Sequence, residues 1–331
     1  MITIIFSLFL LTMLVLVAVA ILRTDNLFTA VMLSGIFSLI MAANFFVLDA
    51  ADVALTEAVI GAGISTVLFL GALALTAEKD RSPPVGSVVP LISAVALGSV
   101  IIYAVMQAPR LGDPNAVVHN HVAPWYLEKT PELIDVPNVV TAVLASFRGY
   151  DTLGEVFVVF IACMGVMALL GRVRPRKDSI KFTEYEERSR NLRHHLIPRI
   201  VGKMLVPFIV LFGLYVQFHG DFGPGGGVQA GALVAAGVIL YSLLEGDWRG
   251  RELVPEWFSS FLVAAGAFLY ASVGVACMLM GGRFLDYSAL DSHNPVHGQH
   301  LGILLVELGV GMTVTGVMIT IFHAFARRGV R

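Results

Sequence analysis

The chain is poor in charge and poorer still in cysteine, and each shortage removes a class of protein. Only 14% of its 331 residues are Asp, Glu, Lys or Arg, where an ordinary soluble domain carries about 25%. Two cysteines, Cys163 and Cys277, stand in apolar runs with no second thiol nearby. A disulfide scaffold and an iron–sulfur cluster therefore both lack ligands, and any redox centre belongs to another chain. A basic excess is missing too: the net charge is -2, whereas a nucleic-acid surface needs a concentrated basic patch. No nucleic-acid partner is expected. The opening MITIIFSLFLLTML lacks the basic leader and small-residue cleavage site of a removable signal, so it reads as a first membrane span.

What the chain has in quantity is apolar sequence. Hydrophobic residues make up 57% and mean hydropathy is +0.81, so the lipid bilayer is the expected solvent. A helix needs about 20 mostly apolar residues to cross about 30 Å of hydrocarbon with its backbone satisfied internally. About nine segments qualify: 2–22, 27–48, 53–76, 88–107, 153–170, 200–218, 228–244, 258–280 and 301–325. The fold class is thus all-α and polytopic.

Lys and Arg set the expected orientation, because cytoplasmic loops carry the excess of positive charge. If every segment crosses, Arg23, Lys79, Arg81, the cluster Arg172, Arg174, Arg176, Lys177 and Lys181, then Arg249, Arg251, Arg327 and Arg328 fall on one side. That side is predicted to be the cytoplasm, with the N-terminus outside and the C-terminus inside. The opposite loops hold Asp49, Asp52, the stretch 108–136, Asp221 and the region 283–300. The charged stretch 172–199 reads as a linker between two membrane modules, 1–171 and 200–331. Residues 139–147, VVTAVLASF, are apolar but too short to cross, so they suit an interfacial or re-entrant helix before the fifth span.

A carboxylate within hydrocarbon costs several kcal/mol unless paired or neutralised, so each one on a span is a functional candidate. Glu57, Glu155 and Glu307 are the clearest. Glu57 shares a helix face with Gly61 and Ser65, small residues that let another helix or water approach. The plainer reading is a glutamate solvated at the outer headgroups. Asp151 and Glu155 stand four apart, with Arg148 three residues before Asp151. The trio could share a proton or cation, or Arg148 and Asp151 could form only a structural ion pair. His300 lies on about the same face as Glu307, where it could pass protons to it from outer water. His293, His297 and His300 invite a metal reading, but Pro295 and Gly298 are expected to interrupt any helix that would align them, so a polar loop is preferred. Lys203 stands a turn inside the sixth span, where it could snorkel to the interface or act as a gating cation. In FHGDFGPGGG, His219 and Asp221 sit where spans meet water. No Lys-Ser or Lys-Thr follows these glycines to hold a phosphate, so a tight turn is expected, with Gly223, Gly227 and Gly231 allowing close helix approach.

Two stretches resemble a known family. DVALTEAVIGAGISTVLFL (52–70) and NVVTAVLASFRGYDTLGE (138–155) are similar to the C-terminal extension of the large A-type component of Mrp cation/proton antiporters and its small counterparts in membrane-bound hydrogenases. From about 200 to 325, with GKMLVPFIVLFGLYVQFHGDFGPGGGVQAG, the chain resembles the B-type component of the same complexes. The resemblance implies a non-enzymatic, multi-pass subunit of the cell inner membrane without cofactor or resident metal. It also implies Na+ and H+ as the transported ions. Expected partners are the other Mrp-type membrane subunits, the large antiporter-like MrpA and MrpD and the small MrpC, MrpE, MrpF and MrpG. The glutamates of the TEA and DTLGE motifs, implicated in cation movement, correspond to Glu57 and Glu155. Three functions remain in view: an ion access route, a non-conducting adaptor, or the equivalent subunit of a redox-driven pump.

Overall fold

A computed structural model describes residues 2–73, 88–110, 112–170 and 196–328. Among these residues the structure is helical, without strands, and nine helices are long and apolar enough to cross a membrane. They are α1 (Ile2–Arg23), α2 (Leu27–Val47), α3 (Ala51–Leu73), α4 (Val88–Gln107), α7 (Gly149–Leu170), α8 (Leu196–His219), α9 (Gly227–Glu245), α11 (Glu256–Leu279) and α12 (Pro295–Arg328). Shorter helices intervene, among them α5 (Val122–Leu133), α6 (139–147) and α10 (Asp247–Leu253). Each of the nine expected segments finds its helix. Lys79, Arg81 and the cluster 172–181 lie outside the described residues.

Burial is graded along the chain. No residue of α4 is buried, whereas two-thirds of the apolar window of α12 is. Where burial is deepest, small residues let the helices close in. On α9, a side chain at Gly231 would stand 2.6 Å from the Gly311 carbonyl and 2.9 Å from Val314 Cβ, and one at Gly227 would collide with the Glu307 carbonyl. Only glycine lets the two backbones approach this closely, which is how helices gain contact where no hydrophobic driving force exists between them. The larger of two cores joins Ile64 of α3, Ala142 and Ala145 of α6, Val156 of α7, Ala232 and Ala235 of α9, Tyr270 of α11, and Val306 and Val310 of α12.

Cross-helix contacts give the relative directions. Asp52 meets Gly225 and Gly71 meets Phe325, while Gly227 meets Glu307 and His323 meets Asp247. Thus α3, α9 and α12 run the same way. Arg199 on Glu245 and Arg327 on Glu256 make α8 and α11 run oppositely. The result is the alternation that successive crossings require.

Two local breaks differ from uninterrupted α-helix. Residues Glu57–Ile64 of α3 and Ala142–Phe147 of α6 are wound as π-helix, a form used in short pieces and often at functional sites. The short helix expected at 139–147 is present. It is separated from α7 only by Arg148, with φ -120°. The carbonyls loosened there are recovered from other elements: Tyr270 Oη donates to Gly149 O (2.8 Å) and Tyr287 Oη donates to Ala145 O (2.9 Å). Burial pushes the Tyr287 phenol well above its ordinary range, so it stays a donor.

The last helix corrects one expectation. It begins at Pro295 and runs through Gly298, so His297 and His300 are helical. A proline in the first turn removes only an N–H that has no intrahelical partner, and its fixed φ suits the helix. Among the described residues no group of three His, Cys, Asp or Glu is arranged to hold a metal, and His297 Nδ1 instead meets Asp291 Oδ2 at 2.9 Å.

Candidate functional site

The loop between α8 and α9 organises the site. Gly226 has φ +130°, a conformation open mainly to glycine, and it turns the chain so that the loop backbone faces α3, α6 and α12. Asn138 fixes it from α6: its Oδ1 accepts from Val140 N–H (3.0 Å) to cap that helix, and its Nδ2 donates to Gly220 O (3.1 Å) and Gly223 O (2.9 Å). Thr141 Oγ1 adds a bond to Gly220 O (2.7 Å). Asp52 at the start of α3 accepts from Gly225 N–H (3.1 Å), and one turn later Thr56 Oγ1 accepts from Gln229 Nε2 (2.8 Å).

These contacts frame a cavity of about 180 Å³, with Asp52, Glu155 and Glu307 in its wall beside Thr141, Thr152 and Gln229. Three helices distant in sequence each bring one carboxylate. Glu307 lies against the loop backbone, such that a side chain at Gly220 would stand 3.1 Å from its Oε2. Glu155 occupies the exposed rim. Among the described residues, no Lys or Arg lines the cavity. Asp221, on the loop just outside the spans, is held above the usual carboxylate range by its burial, an effect that His300 partly offsets.

The sequence candidates divide accordingly. Glu155 and Glu307 share the cavity, with Asp221 and His300 close together beside it. Asp151 does not face it with Glu155: it forms an exposed ion pair with Arg148. Glu57 lies elsewhere, at the start of the π segment of α3. A side chain at Gly61 would stand 2.6 Å from Glu57 Oε1 and 2.8 Å from Ser38 Oγ of α2. The expected small-residue face is there, and it faces α2. His219 stacks on Tyr215 with ring centroids 4.7 Å apart.

Lys203 bonds to Glu245 Oε1 at 2.6 Å, and Arg199 reaches the same carboxylate at 2.6 Å. Glu245 is fully buried. It belongs to a second acidic group at the far end of the bundle, with Asp247 and Glu256. Asp52 and Glu245 escaped sequence reasoning because each is the residue next to an apolar segment, where a charge reads as loop.

Comparison with known proteins matches three family domains along the chain. A domain related to the MnhB subunit of Na+/H+ antiporters matches residues 197–320, and the D and E subunits of MBH match 12–78 and 88–187. A probable A/B-type component of a K+/H+ antiporter from Rhizobium meliloti is 28% identical over 93% of this chain and 33% of its own length. The antiporter protein mnhB2 of Staphylococcus haemolyticus is 33% identical over 40% of this chain and 94% of its own. A chain of the Mrp complex from Dietzia sp. shares the fold, with a TM-score of 0.72 at 24% identity over 96% of this chain and 34% of that one. The chain thus spans about a third of the length of the Rhizobium and Dietzia proteins.

Proposed function

We propose that this chain, which belongs to the MnhB family of Na+/H+ antiporter subunits and carries MbhD- and MbhE-type segments ahead of that domain, lines a cation and proton access route in a multisubunit antiporter. Its homologues are antiporter subunits, and its nine apolar helices make it a multi-pass protein of the cell membrane. The observation that carries the proposal is the cavity: carboxylates of α3, α7 and α12 converge on one space that, among the described residues, no cationic side chain lines. Anionic oxygens kept in apolar surroundings are stable there when a cation or proton neutralises them. Hydroxyls of Thr141 and Thr152 add hard oxygen ligands that suit Na+, K+ or a hydrated proton alike.

In this reading Glu307 and Glu155 are the ion stations, joined by Asp52. Asp221 and His300 connect them to the outer water, on the orientation with the N-terminus outside. Glu57 is a separate station towards α2. Asp151 and Arg148 fasten the rim, and His219 packs the turn. The chain itself is non-enzymatic, without cofactor or resident metal. It works with the large antiporter-like MrpA and MrpD and the small MrpC, MrpE, MrpF and MrpG, and the largely exposed α4 supports a further part in assembly.

The test is sodium-dependent proton exchange in everted vesicles holding the assembled complex. Glu307→Gln and Glu155→Gln should each lower exchange per assembled complex. Wild-type exchange in both would end the proposal, and loss of assembly in both would favour a non-conducting adaptor.

A further inference from the structure

Each hydroxyl in the wall of the Glu307 cavity has already given away its hydrogen. Thr56 Oγ1 donates to Asp52 O (2.9 Å), Thr141 Oγ1 to Gly220 O (2.7 Å) and Thr152 Oγ1 to Leu144 O (2.7 Å). A hydroxyl carries one hydrogen, so these three have only lone pairs left to offer. This decides how Gln229 is turned. Its amide meets Thr56 Oγ1 at 2.8 Å, and that oxygen, with its hydrogen spent on Asp52 O, can only accept. Gln229 must therefore present Nε2 to Thr56, which sends its carbonyl Oε1 the other way.

The freed oxygen comes to Glu307. Gly226 leaves open the spot that a Cβ would fill, and that spot lies 3.5 Å from Gln229 Oε1 and 3.5 Å from Glu307 Oε1. Two acceptor oxygens thus flank one gap, and among the described residues no donor is bonded to either. Asp52, whose Oδ1 accepts from Gly225 N–H (3.1 Å), and Glu155 add further oxygens to the wall. The donors left there are backbone N–H groups in the first turn of α9, which lack intrahelical partners, and the second hydrogen on Gln229 Nε2. A proton needs only the Glu307 carboxylate to hold it. A hard metal cation is held by several oxygens at once, carboxylate and amide carbonyl among them, and a turned amide oxygen serves that purpose.

We propose that Glu307 Oε1 and Gln229 Oε1 bind one alkali-metal cation, Na+ or K+, beside Gly226, and that Thr56 is the positioning residue that keeps the amide oxygen turned towards it. This deepens the proposed access route and rests on it. Thr56 stands in the segment matched by the D subunit of MBH, whereas Gln229 and Glu307 stand in the MnhB-related domain. The site therefore forms where the two family segments meet: one supplies the ligands and the other fixes the orientation of one of them.

The test uses the assembled complex in everted vesicles, with proton exchange measured against NaCl and, separately, against KCl. Gln229→Leu should raise the half-saturating cation concentration about tenfold, more than it lowers the maximal rate. Thr56→Val keeps the shape of threonine but loses the hydroxyl, which frees the amide to turn. The half-saturating concentration should then rise about threefold, and Thr56→Ser should restore it. A value unmoved for both salts in Gln229→Leu overturns the proposal. So does a shift confined to the pH profile, which would make Gln229 the acceptor for a protonated Glu307. If Gln229→Leu does not assemble, Thr56→Val decides by the same criterion. Lost exchange in Glu307→Gln beside wild-type cation dependence in Gln229→Leu removes this site and leaves the access route standing, whereas wild-type exchange in Glu307→Gln removes both.

Discussion

The two ends of the bundle hold similar numbers of acids and treat them oppositely. Around the α8–α9 loop, Asp52, Glu155 and Glu307 line a cavity that no Lys or Arg among the described residues shares. At the far end, Glu245, Asp247 and Glu256 are each met by arginine or lysine. An acid bonded to a fixed cation has its charge compensated permanently, so it holds helices together but cannot exchange its partner. An acid compensated by nothing fixed needs a mobile charge. On the proposed reading the difference separates structural carboxylates from transporting ones without reference to sequence motifs, and it can be attacked from either side.

The largest expected effect is at Glu307. Replacing it by glutamine keeps size and hydrogen bonding while removing the charge, so exchange should fall by roughly tenfold or more, equivalent to ~1.4 kcal/mol or more of barrier, in a complex of normal yield. The mirror experiment is Glu245→Gln. It strands Arg199 and Lys203 beside a neutral amide, and the expected loss is in assembled complex recovered from the membrane, with exchange per complex near wild type. Reversal of these two outcomes would break the comparison, because it would make the paired acid the transporting one.

A third prediction concerns pH. Burial raises the Asp221 carboxyl above its ordinary value, so the folded state binds a proton more readily than the unfolded chain does. Stability linked to this group is present below the unfolded value and is lost as pH rises through the folded one. Asp221→Asn removes that penalty. Thermal unfolding of the purified complex should occur at a slightly higher temperature near neutral pH in the variant, and the gain should vanish in acid. A gain that persists in acid would mean that burial of the charge is not its source.

The legibility of the molecule in its sequence follows the same physical divide. All nine membrane helices are readable because hydrocarbon demands an unbroken apolar run of a set length, and alternation of basic loops gives their relative directions. The close seam of α9 on α12 is readable in part, from Gly227 and Gly231. The grouping of acids is not. Asp151 and Glu155 are a helical turn apart in sequence, yet Asp151 turns to Arg148 and Glu155 to the cavity. Glu57 and Asp52 are five apart on one helix, and it is Asp52 that reaches the cavity, since the loop at Gly225 offers it a backbone N–H. Which of two nearby carboxylates finds a partner depends on chain folded in from distant sequence, and no local pattern records that. The π-wound turns are equally silent, because Glu57–Ile64 and Ala142–Phe147 have ordinary helix-forming composition.

The smallest effect should come from Asn138, and it tests whether the cavity depends on a built frame. Its side chain caps α6 and ties that helix to two carbonyls of the α8–α9 loop. Asn138→Ala loses the cap and both ties, about 1–2 kcal/mol in all, while Thr141 still holds Gly220 O and every carboxylate stays in place. Unfolding of the complex should therefore begin at a modestly lower temperature, with exchange at permissive temperature reduced less than in Glu307→Gln. If the alanine variant instead lost exchange as completely as the glutamine variant while keeping its stability, Asn138 would itself touch the moving ion, and the loop would be part of the path and not merely its frame.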